Sequence, residues 1–351
     1  MRASYWRGRR VFLTGHTGFK GAWLCLLLHR LGAETHGYAL ETPDAFLFHR
    51  ARVSDALASD TRGDIRDADF LESCLQRSGA DVVLHLAAQT TVRESYASPR
   101  ETFQVNVDGT VAVLDAARST SAVQRCVVVT TDKVYRNNEW RWAYREVDAL
   151  GGDDPYSASK AAAELATHSY AVSFPRENYA IATARAGNVI GGGDATPDAL
   201  IPELVSAFLA GRPAELRYPT AVRPWQHVLE PLNGYLTLAE QLDPSRNGSA
   251  WNFGPAADDA LTVGEVADRL GAALGNGNWR KTDQAGPPEA GLLSVDSTNA
   301  RHDLGWRPAL SVDDAIGWVA SWELGVQRGE TPRASTERQI DDFLTRIGDG
   351  S

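Results

Sequence analysis

Cysteine, clustered positive charge and long apolar runs are all scarce in this chain of 351 residues. The three cysteines, Cys25, Cys74 and Cys126, are far apart and lie in apolar stretches such as WLCLLL and RCVVVTT. This spacing argues against a disulfide framework or a metal site and favours buried free thiols in a reducing compartment. We therefore expect no metal cofactor.

Basic residues are outnumbered, with 35 Lys and Arg against 45 Asp and Glu, and no dense basic block occurs. A nucleic-acid partner is therefore not expected, although a few local cations can still bind a small anion. The longest apolar candidate for a membrane span, residues 23–28, is far too short, and polar residues interrupt the apolar run near the basic start. We expect a cytoplasmic protein without a membrane partner.

Proline is also unevenly distributed, because two of the 16 prolines lie in the first 150 residues. There, apolar runs such as RVFLTG, ETHGYAL, DVVLHLAA and RCVVVTTD alternate with segments of helical period such as ADFLESCLQRSGA and ETFQVNVDGTVAVLDAARST. Continuous apolar strands separated by helices predict an α/β fold with a doubly wound parallel sheet, covered by helices on both faces. Further along, we expect a helix from Asp154-Pro155, the strand YAIATARAGNVIG, the helix HVLEPLNGYLTLAEQL and the strand SAWNFGP.

The stretch TGHTGFKG follows the first predicted strand and opens the first long helix. In this context Gly15 permits a tight turn, Gly18 lets the backbone approach a pyrophosphate, and Gly21 packs the helix on the strand. An acidic residue after the second strand usually binds the adenosine ribose, but Glu41 comes slightly late and Ala39 can occupy that position. The pattern favours NAD over NADP without fixing the choice.

Two further motifs carry reactive groups. Tyr156 and Lys160 are spaced i, i+4 on a predicted helix, so that the ammonium can lower the pKa of the phenol and make it a base. Thr131, Asp132 and Lys133 follow the fourth or fifth strand, at the sheet edge where ligands of open α/β folds bind. An acid and an amine at that edge indicate a proton-transfer step in addition to hydride transfer.

Together these motifs resemble the extended short-chain dehydrogenase/reductase superfamily, and within it the nucleotide-sugar 4,6-dehydratases, most closely their CDP-glucose branch. The similarity extends over almost the whole chain and rests on segments such as TGHTGFKG, GDIRD, LHLAAQ, TDKVY, GGDDPYSASK, RAGNVIGGGD and RPWQHVLEPLNGY. It implies a nucleotide-diphosphate sugar substrate, a homodimer formed through helices near 100–119 and 156–174, and two domains. These are an NAD-binding Rossmann domain of residues 1–187, completed by about 228–250, and a smaller α/β substrate-binding domain of residues 188–227 and 251–351.

The resemblance also implies a role for each reactive group. Tyr156, assisted by Lys160, would remove the C4 hydroxyl proton as hydride leaves C4 for NAD. Lys133, if neutral, would remove the C5 proton, Asp132, if protonated, would protonate the departing C6 hydroxyl, and Thr131 would hydrogen-bond the C4 oxygen. Hydride return to C6 then gives a 4-keto-6-deoxy sugar.

Binding residues follow from the same resemblance. We expect NAD contacts from the glycine loop, the GDIRD edge and the end of the third predicted sheet strand, with substrate contacts from the segment after residue 187. The NAD set is Gly15, Thr17, Gly18, Phe19, Lys20, Asp64, Ile65, Leu86, Ala87, Ala88, Gln89, Tyr156 and Lys160, and the substrate set is Asn188, the loop 191–194, Arg223 and His227. His16, His85 and His227 are interpreted as structural rather than catalytic, and Lys20 as a cation beside the pyrophosphate or at the rim.

Some positions depart from the family pattern or leave alternatives open. Ala195, Ala199 and Ser294 replace the usual Trp, Arg and Lys, so the base and sugar of the substrate are not fixed. The aromatic residues of NNEWRWAY can either wall the site or pack a loop. A nucleotide-sugar 4-epimerase or 4-oxidase, and a non-catalytic NAD-binding regulator, remain as alternative functions.

Overall fold

The computed structural model describes residues 1–256, 260–282 and 291–349. Its strands are β1 (Arg10–Thr14), β2 (Glu34–Ala39), β3 (Ser59–Arg62), β4 (Val82–His85), β5 (Arg125–Val129), β6 (Ala180–Ala186), β7 (Val189–Ile190), β8 (Ala214–Leu216), β9 (Val222–Pro224), β10 (Gln226–His227), β11 (Ser249–Phe253), β12 (Ala260–Thr262) and β13 (Trp279–Lys281). Its α-helices are α1 (Ala3–Trp6), α2 (Phe19–Arg30), α3 (Leu47–Arg50), α4 (Ala68–Ser78), α5 (Val92–Ala97), α6 (Pro99–Phe103), α7 (Gly109–Ser119), α8 (Pro155–Ser173), α9 (Leu200–Leu209), α10 (Leu229–Gln241), α11 (Val263–Ala273), α12 (Thr298–Asp303), α13 (Val312–Gln327) and α14 (Pro332–Asp349).

Seven strands form one parallel sheet in the order β11-β6-β5-β4-β1-β2-β3. Alternate residues of each central strand enter opposite cores: Val11 and Leu13 pack on the side of α2 and α10, whereas Phe12 packs on the side of α4 and α7. A strand buried on both faces must be apolar throughout, which explains the continuous apolar runs in the sequence. The predicted doubly wound parallel sheet is confirmed.

The strand order reverses between β1 and β4, so the chain crosses the sheet in opposite directions from this point. The loops that leave the carboxyl ends of these two strands separate there and open a crevice, as is general for doubly wound sheets. The glycine loop at residues 15–18 lies on one side of the crevice and residues 86–91 on the other.

Three elements differ from their predictions. The edge strand β3 was not predicted, because its sequence SDTR is polar and half-exposed. The predicted strand YAIATARAGNVIG is two strands, since the chain leaves the main sheet after β6 and β7 pairs with β10. The predicted helix ETFQVNVDGTVAVLDAARST holds a π-helical turn over Gln104–Asp108, between α6 and α7.

A smaller core is built from α9, α11 and α13 with β8 and β9. The predicted domain boundaries need correction on two counts. A break at residue 251 would divide β11, which pairs with β6 in the main sheet. Trp306, Ile340 and Phe343 pack in the main core together with α2, whereas five buried apolar residues of α13 pack in the smaller core. The segment after residue 298 therefore contributes to both units.

Candidate functional site

A cavity of about 600 Å³ lies at the carboxyl ends of the main-sheet strands. A second cavity of about 310 Å³ adjoins it, and both are lined by Thr90, Thr91, Lys133 and Asn188. Ligand sites in proteins commonly have volumes of about 300–1,000 Å³. The two together form a continuous cleft from the glycine loop to the smaller core.

The glycine loop forms the wall of the larger cavity. Gly15 has φ of 76°, and a Cβ there would lie 2.6 Å from the backbone nitrogen of Ala87. A Cβ on Gly21 would lie 2.1 Å from the carbonyl oxygen of Gly15, so this glycine packs the helix on the loop rather than on the strand. A Cβ on Gly18 would meet protein atoms only at 3.5 Å. The loop thus fits the close approach of a phosphate at Gly18.

His16 does not point into the cavity. Its buried ring lies over Gly37, where a Cβ would come within 2.5 Å of it, and its Nε2 lies 2.8 Å from Asp60 Oδ1. Burial lowers the pKa of His16, so the ring is neutral at pH 7 despite the neighbouring carboxylate. The predicted role of His16 in shaping the loop fits this position.

Lys20 lines the larger cavity together with the glycine loop, and its side chain points inward. Its Nζ lies 3.5 Å from the hydroxyl of Tyr235, and burial lowers its pKa to about 8 although Asp132 opposes the shift. Lys20 also lowers the pKa of Lys160, so the two ammonium groups are close. Three of the four lysines in the chain, Lys20, Lys133 and Lys160, line this cavity.

The other predicted cofactor contacts largely line the same cavity, namely Thr17, Phe19, Asp64, Ile65, Leu86, Ala87 and Ala88. Gln89 is outside this lining, because its side-chain amide donates to the carbonyl of Thr91 at 2.9 Å. The side chain of Asn106, in the π-helical turn, bonds both backbone groups of Gln89 and the hydroxyl of Ser159. Asn106 therefore fixes the loop after β4 against α8.

Thr131, Asp132 and Lys133 follow β5, the fifth strand, in a short 3₁₀ turn, and all three line the cavity. Asp132 is buried; its Oδ1 accepts from the hydroxyl of Thr131 at 3.0 Å, and its Oδ2 has no partner among the described residues. Burial raises the pKa of Asp132, although Lys133 and Arg223 oppose the shift. An acid with one unpaired buried oxygen is suited to hold a proton and donate it into the cavity.

Tyr156 and Lys160 lie on the first turns of α8, which is capped by Asp154 through the backbone N–H of Ser157. The structure corrects the predicted effect of Lys160 on the phenol. Lys160 Nζ donates to the carbonyl of Val129 at 2.8 Å, and burial lowers its pKa to about 8. Burial raises the pKa of Tyr156, and the group that opposes this shift is the hydroxyl of Thr131.

The predicted substrate residues separate into two groups. Asn188 lines both cavities and Arg223 lines the smaller one. His227 lines neither: it is buried between the rings of Trp23 and Trp318, and burial lowers its pKa to about 3. A substrate contact by His227 does not fit this geometry, whereas its structural interpretation does.

The predicted diphosphate loop 191–194 is also only partly in the site. A Cβ on Gly192 would lie 2.1 Å from the indole of Trp322, so its glycines let α13 pack closely. Asp194 lines both cavities and accepts two hydrogen bonds from Thr196. Burial raises the pKa of Asp194 and so favours its neutral form. The neutral carboxyl does not repel a phosphate, whereas the ionised carboxylate would.

Sequence reasoning missed two cations and a threonine pair in the cleft. Arg93 and Arg217 line the smaller cavity beside Arg223, and Thr90 and Thr91 line both. Arg93 directly follows the LAAQTTV segment, and Arg217 lies in the Pro- and Arg-rich segment, but only the fold brings the two together.

Of the three residues that depart from the family pattern, Ala199 lines both cavities, whereas Ala195 and Ser294 are outside both linings. Tyr144 is buried and stacks between Tyr135 and Trp140, and none of the three lines either cavity. Tyr144 and Trp140 therefore pack the loop, whereas Trp142 is 67% exposed and has the guanidinium of Arg141 over its ring.

The doubly wound sheet, the glycine loop, the strand-end threonine and the Tyr-x-x-x-Lys helix define an extended short-chain dehydrogenase/reductase. A family model described as GDP-mannose 4,6 dehydratase matches residues 12–317. CDP-glucose 4,6-dehydratase of Salmonella typhimurium is 40% identical over 97% of this chain and 98% of its own length. dTDP-glucose 4,6-dehydratase of Streptomyces griseus is 30% identical over 74% of this chain and 76% of its own.

Among solved structures, DesIV, the dTDP-glucose 4,6-dehydratase of Streptomyces venezuelae with NAD and TYD bound, matches with a TM-score of 0.79. It is 26% identical and covers 92% of this chain and 99% of that chain. The chain belongs to the GDP-mannose 4,6 dehydratase family. The resemblance to nucleotide-sugar 4,6-dehydratases predicted from its motifs is confirmed.

Proposed function

We propose that this protein is a hydro-lyase that converts a nucleotide-diphosphate glucose, with CDP-glucose as the first candidate, into the 4-keto-6-deoxy sugar and water. The proposal rests mainly on the buried carboxyl group of Asp132. It lies in the same cavity as Tyr156, and its Oδ2 has no hydrogen-bond partner among the described residues. The 40% identical relative named for CDP-glucose supports the choice of nucleotide.

The larger cavity fits NAD, because Gly18 leaves room for a pyrophosphate and Ile65 provides an apolar edge for a base. The NAD-bound relative supports this cofactor. When bound, NAD would accept hydride from C4 of the sugar and return it to C6.

The residues of this chain then move protons. Tyr156 takes the C4 hydroxyl proton as the C4–H bond breaks, and Thr131 holds the C4 oxygen. The resulting ketone acidifies C5, whose proton goes to Lys133, while Asp132 protonates the C6 hydroxyl so that it leaves as water. Return of hydride to C6 and of the proton from Lys133 to C5 gives the product. The proton gained by Tyr156 replaces, through solvent, the proton lost by Asp132, so that both side chains regain their starting states.

Burial favours the protonation state that the role of Asp132 needs. A protonated Asp132 is favoured because its charged form is desolvated, and it can therefore donate. The raised pKa of Tyr156 means that its deprotonation has to be assisted; the hydroxyl of Thr131 opposes the shift, and the positive charge of NAD would do so when NAD is bound.

The smaller cavity is the proposed site of the nucleoside diphosphate. Arg93, Arg217 and Arg223 line it, and planar guanidinium groups match the two phosphates of such a ligand. Ala199, at the junction of the two cavities, enlarges the space that an Arg would fill in the family pattern.

The test is incubation of the purified protein with CDP-glucose, dTDP-glucose and UDP-glucose in parallel. A 4-keto-6-deoxy product absorbs near-ultraviolet light in alkali, and we expect it first with CDP-glucose. Failure to form it from all three sugars would exclude the proposal for these donors. A C4 epimer as the product would instead support the epimerase alternative, which has no need of Asp132.

Tyr156→Phe distinguishes catalysis from a regulatory role. We expect this variant to bind NAD and to lose turnover by about 10²–10⁴-fold, the range associated with a general base. Undiminished turnover would contradict the assigned role, and binding of NAD without any turnover by the wild-type chain would favour the non-catalytic regulator.

We further propose a cytoplasmic homodimer. Among the described residues no helix is long and apolar enough to cross a bilayer, and three free buried thiols suit a reducing compartment.

Leu165 and Val172 are seven residues apart on α8 and more than 60% exposed, and Phe103 on α6 is also exposed. A second copy would cover this face, and sedimentation of Leu165→Glu should then show a monomer where the wild-type chain shows a dimer.

A further inference from the structure

Glu164 of α8 and Arg185 of β6 form an ion pair that is almost completely buried. They are 4% and 3% exposed, and the guanidinium binds the carboxylate bidentately, with Nε to Oε1 and Nη2 to Oε2 both at 2.9 Å. Both residues are outside the lining of the two cavities. Replacing such a pair by apolar side chains of the same volume is often neutral for stability, because both charges lose their hydration on burial. Stability alone therefore does not account for the pair.

The further hydrogen bonds of the pair reach both ends of the segment that carries the reactive side chains. This segment, residues 131–134, is the reactive turn. Oε1 of Glu164 accepts from the hydroxyl of Thr130, the residue directly before the turn. Nη1 of Arg185 donates at 2.8 Å to the hydroxyl of Tyr135, the residue directly after the turn. The two members of one ion pair thus bind the two residues that flank the reactive turn.

The same end of β5 is also bonded by Lys160, which lies one turn before Glu164 on α8. Lys160 Nζ donates to the carbonyl of Val129, and Glu164 binds the next residue, Thr130. Glu164 also opposes the lowering of the Lys160 pKa by burial. Two charged side chains of α8 therefore hold two consecutive residues at the end of β5, and the same helix carries Tyr156.

We propose that Glu164 and Arg185 are positioning residues, which together hold the reactive turn in the place relative to Tyr156 that elimination of water requires. The inference rests on the proposed function, because the turn carries the acid and the base of that step. Loss of the contact at either end of the turn would let the acid and the base move, while the sheet and the cavity remain.

Thr130→Val tests the contact at the beginning of the turn and leaves the ion pair in place. Valine has the shape of threonine without its hydroxyl, so Glu164 keeps Arg185 and loses its bond to the end of β5. We expect kcat with CDP-glucose to fall by about tenfold, less than the loss of about 10²-fold associated with a misplacement of about 1 Å. KM should be unchanged, because Thr130 is outside the lining of the smaller cavity.

Thr183→Val is the matched control. The hydroxyl of Thr183 donates at 2.6 Å to Oε2 of the same carboxylate, but Thr183 lies in the middle of β6 and outside both cavity linings. The two variants should lower the midpoint of urea unfolding by a similar amount, because each removes one hydrogen bond from Glu164. Only Thr130→Val should lose turnover, and Thr130→Ser, which keeps the hydroxyl, should recover most of it.

Tyr135→Phe tests the other end of the turn, because it removes the hydroxyl that accepts from Arg185. It should also lower kcat and leave KM unchanged. Since Thr130 lines the larger cavity, the dissociation constant of NAD⁺ is measured by calorimetry for the full chain after removal of bound nucleotide. We expect the same constant for wild type, Thr130→Val and Thr183→Val.

Three results would overturn the inference: a normal kcat in Thr130→Val, an equal loss of kcat in Thr183→Val, or a loss in Thr130→Val that is explained by weaker binding of NAD⁺. The first two would leave the ion pair with a structural role only, and the third would make Thr130 a cofactor contact. If the wild-type chain converts none of the three sugars, the proposed function fails, and the inference that rests on it fails as well.

Discussion

Asp132 shows how a single side chain acquires its chemistry from residues distant in the sequence. The backbone of Gly187 lies close to its carboxyl group, since a Cβ on Gly187 would be 2.7 Å from Asp132 Oδ2. Asp132 as a whole is only 1% exposed to solvent. The resulting desolvation raises the pKa of Asp132 and favours the protonated form, which can act as an acid.

Gly187→Ala should therefore displace the acid without unfolding the chain. We expect kcat to fall on the order of 10²-fold, as for a displacement of about 1 Å in an active site. Gly317→Ala is the control, because no atom lies within 4 Å of the added Cβ on α13 and Ala favours the helix by about 1 kcal/mol. Steady-state kinetics and urea unfolding of both variants test this, and equal kcat values would show that the contact with Asp132 is unimportant.

Lys133 can be tested as the C5 base by isotope exchange. With Lys133→Met we expect entry of solvent deuterium at C5 to stop, whereas Lys133→Glu should restore part of it because a carboxylate can also accept the proton. Lys281→Met, on β13 and outside the cavity lining, should leave exchange unchanged. Mass spectrometry of the product provides the measurement, and normal exchange in Lys133→Met would refute the assignment.

At the scale of an element, the beginning of α8 fixes the catalytic tyrosine. Asp154 Oδ1 accepts from the backbone N–H of Ser157 at 2.9 Å, and Oδ2 accepts from the hydroxyl of Ser157 at 2.6 Å. Tyr156 is the second residue of this helix, so fraying of the first turn would move the phenol directly.

Asp154→Ala should lower the free energy of unfolding by about 1 kcal/mol, the usual cost of an N-cap, and also reduce kcat. Thr262→Ala removes the cap of α11, which is far from Tyr156 in the smaller core. The two variants should lose similar stability in urea unfolding, but only Asp154→Ala should lose activity. A normal kcat in Asp154→Ala would mean that the first turn of α8 does not position Tyr156.

At the scale of the whole molecule, two buried imidazoles make stability depend on pH. Burial lowers the pKa of both His85 and His227 to about 3. In the unfolded chain these groups take up protons near pH 6.5, whereas in the folded chain they remain neutral. Each imidazole therefore lowers the free energy of unfolding by about 1.4 kcal/mol for every pH unit below 6.5.

Buried carboxyls with raised pKa values, such as Asp132 and Asp194, act in the opposite direction. The contribution of one imidazole is isolated by comparing variants in urea unfolding between pH 7.5 and 5. His85→Asn should have a smaller loss of stability across this range than the wild-type chain. His302→Gln, at an exposed position, should have the same pH dependence as the wild type, and an unchanged dependence in His85→Asn would contradict the assignment.

Much of this fold and site follows from local sequence. The glycine loop, the parallel strands and the beginning of α8 depend on neighbouring residues, because backbone turns, helix caps and apolar periodicity are short-range properties. The same holds for the reactive residues Thr131, Asp132 and Lys133, which directly follow a buried strand.

Other features were decided by the tertiary structure alone. Three features involve contacts between residues far apart in the chain: the inward direction of Lys20, the packing of His227 between two indoles and the close approach of Gly187 to Asp132. The polar edge strand β3 is recognisable only by its pairing with β2. Burial and electrostatic interaction depend on distance in space, so protonation states and the composition of the cleft were set by the packed molecule, whereas the sequence determined its elements and reactive groups.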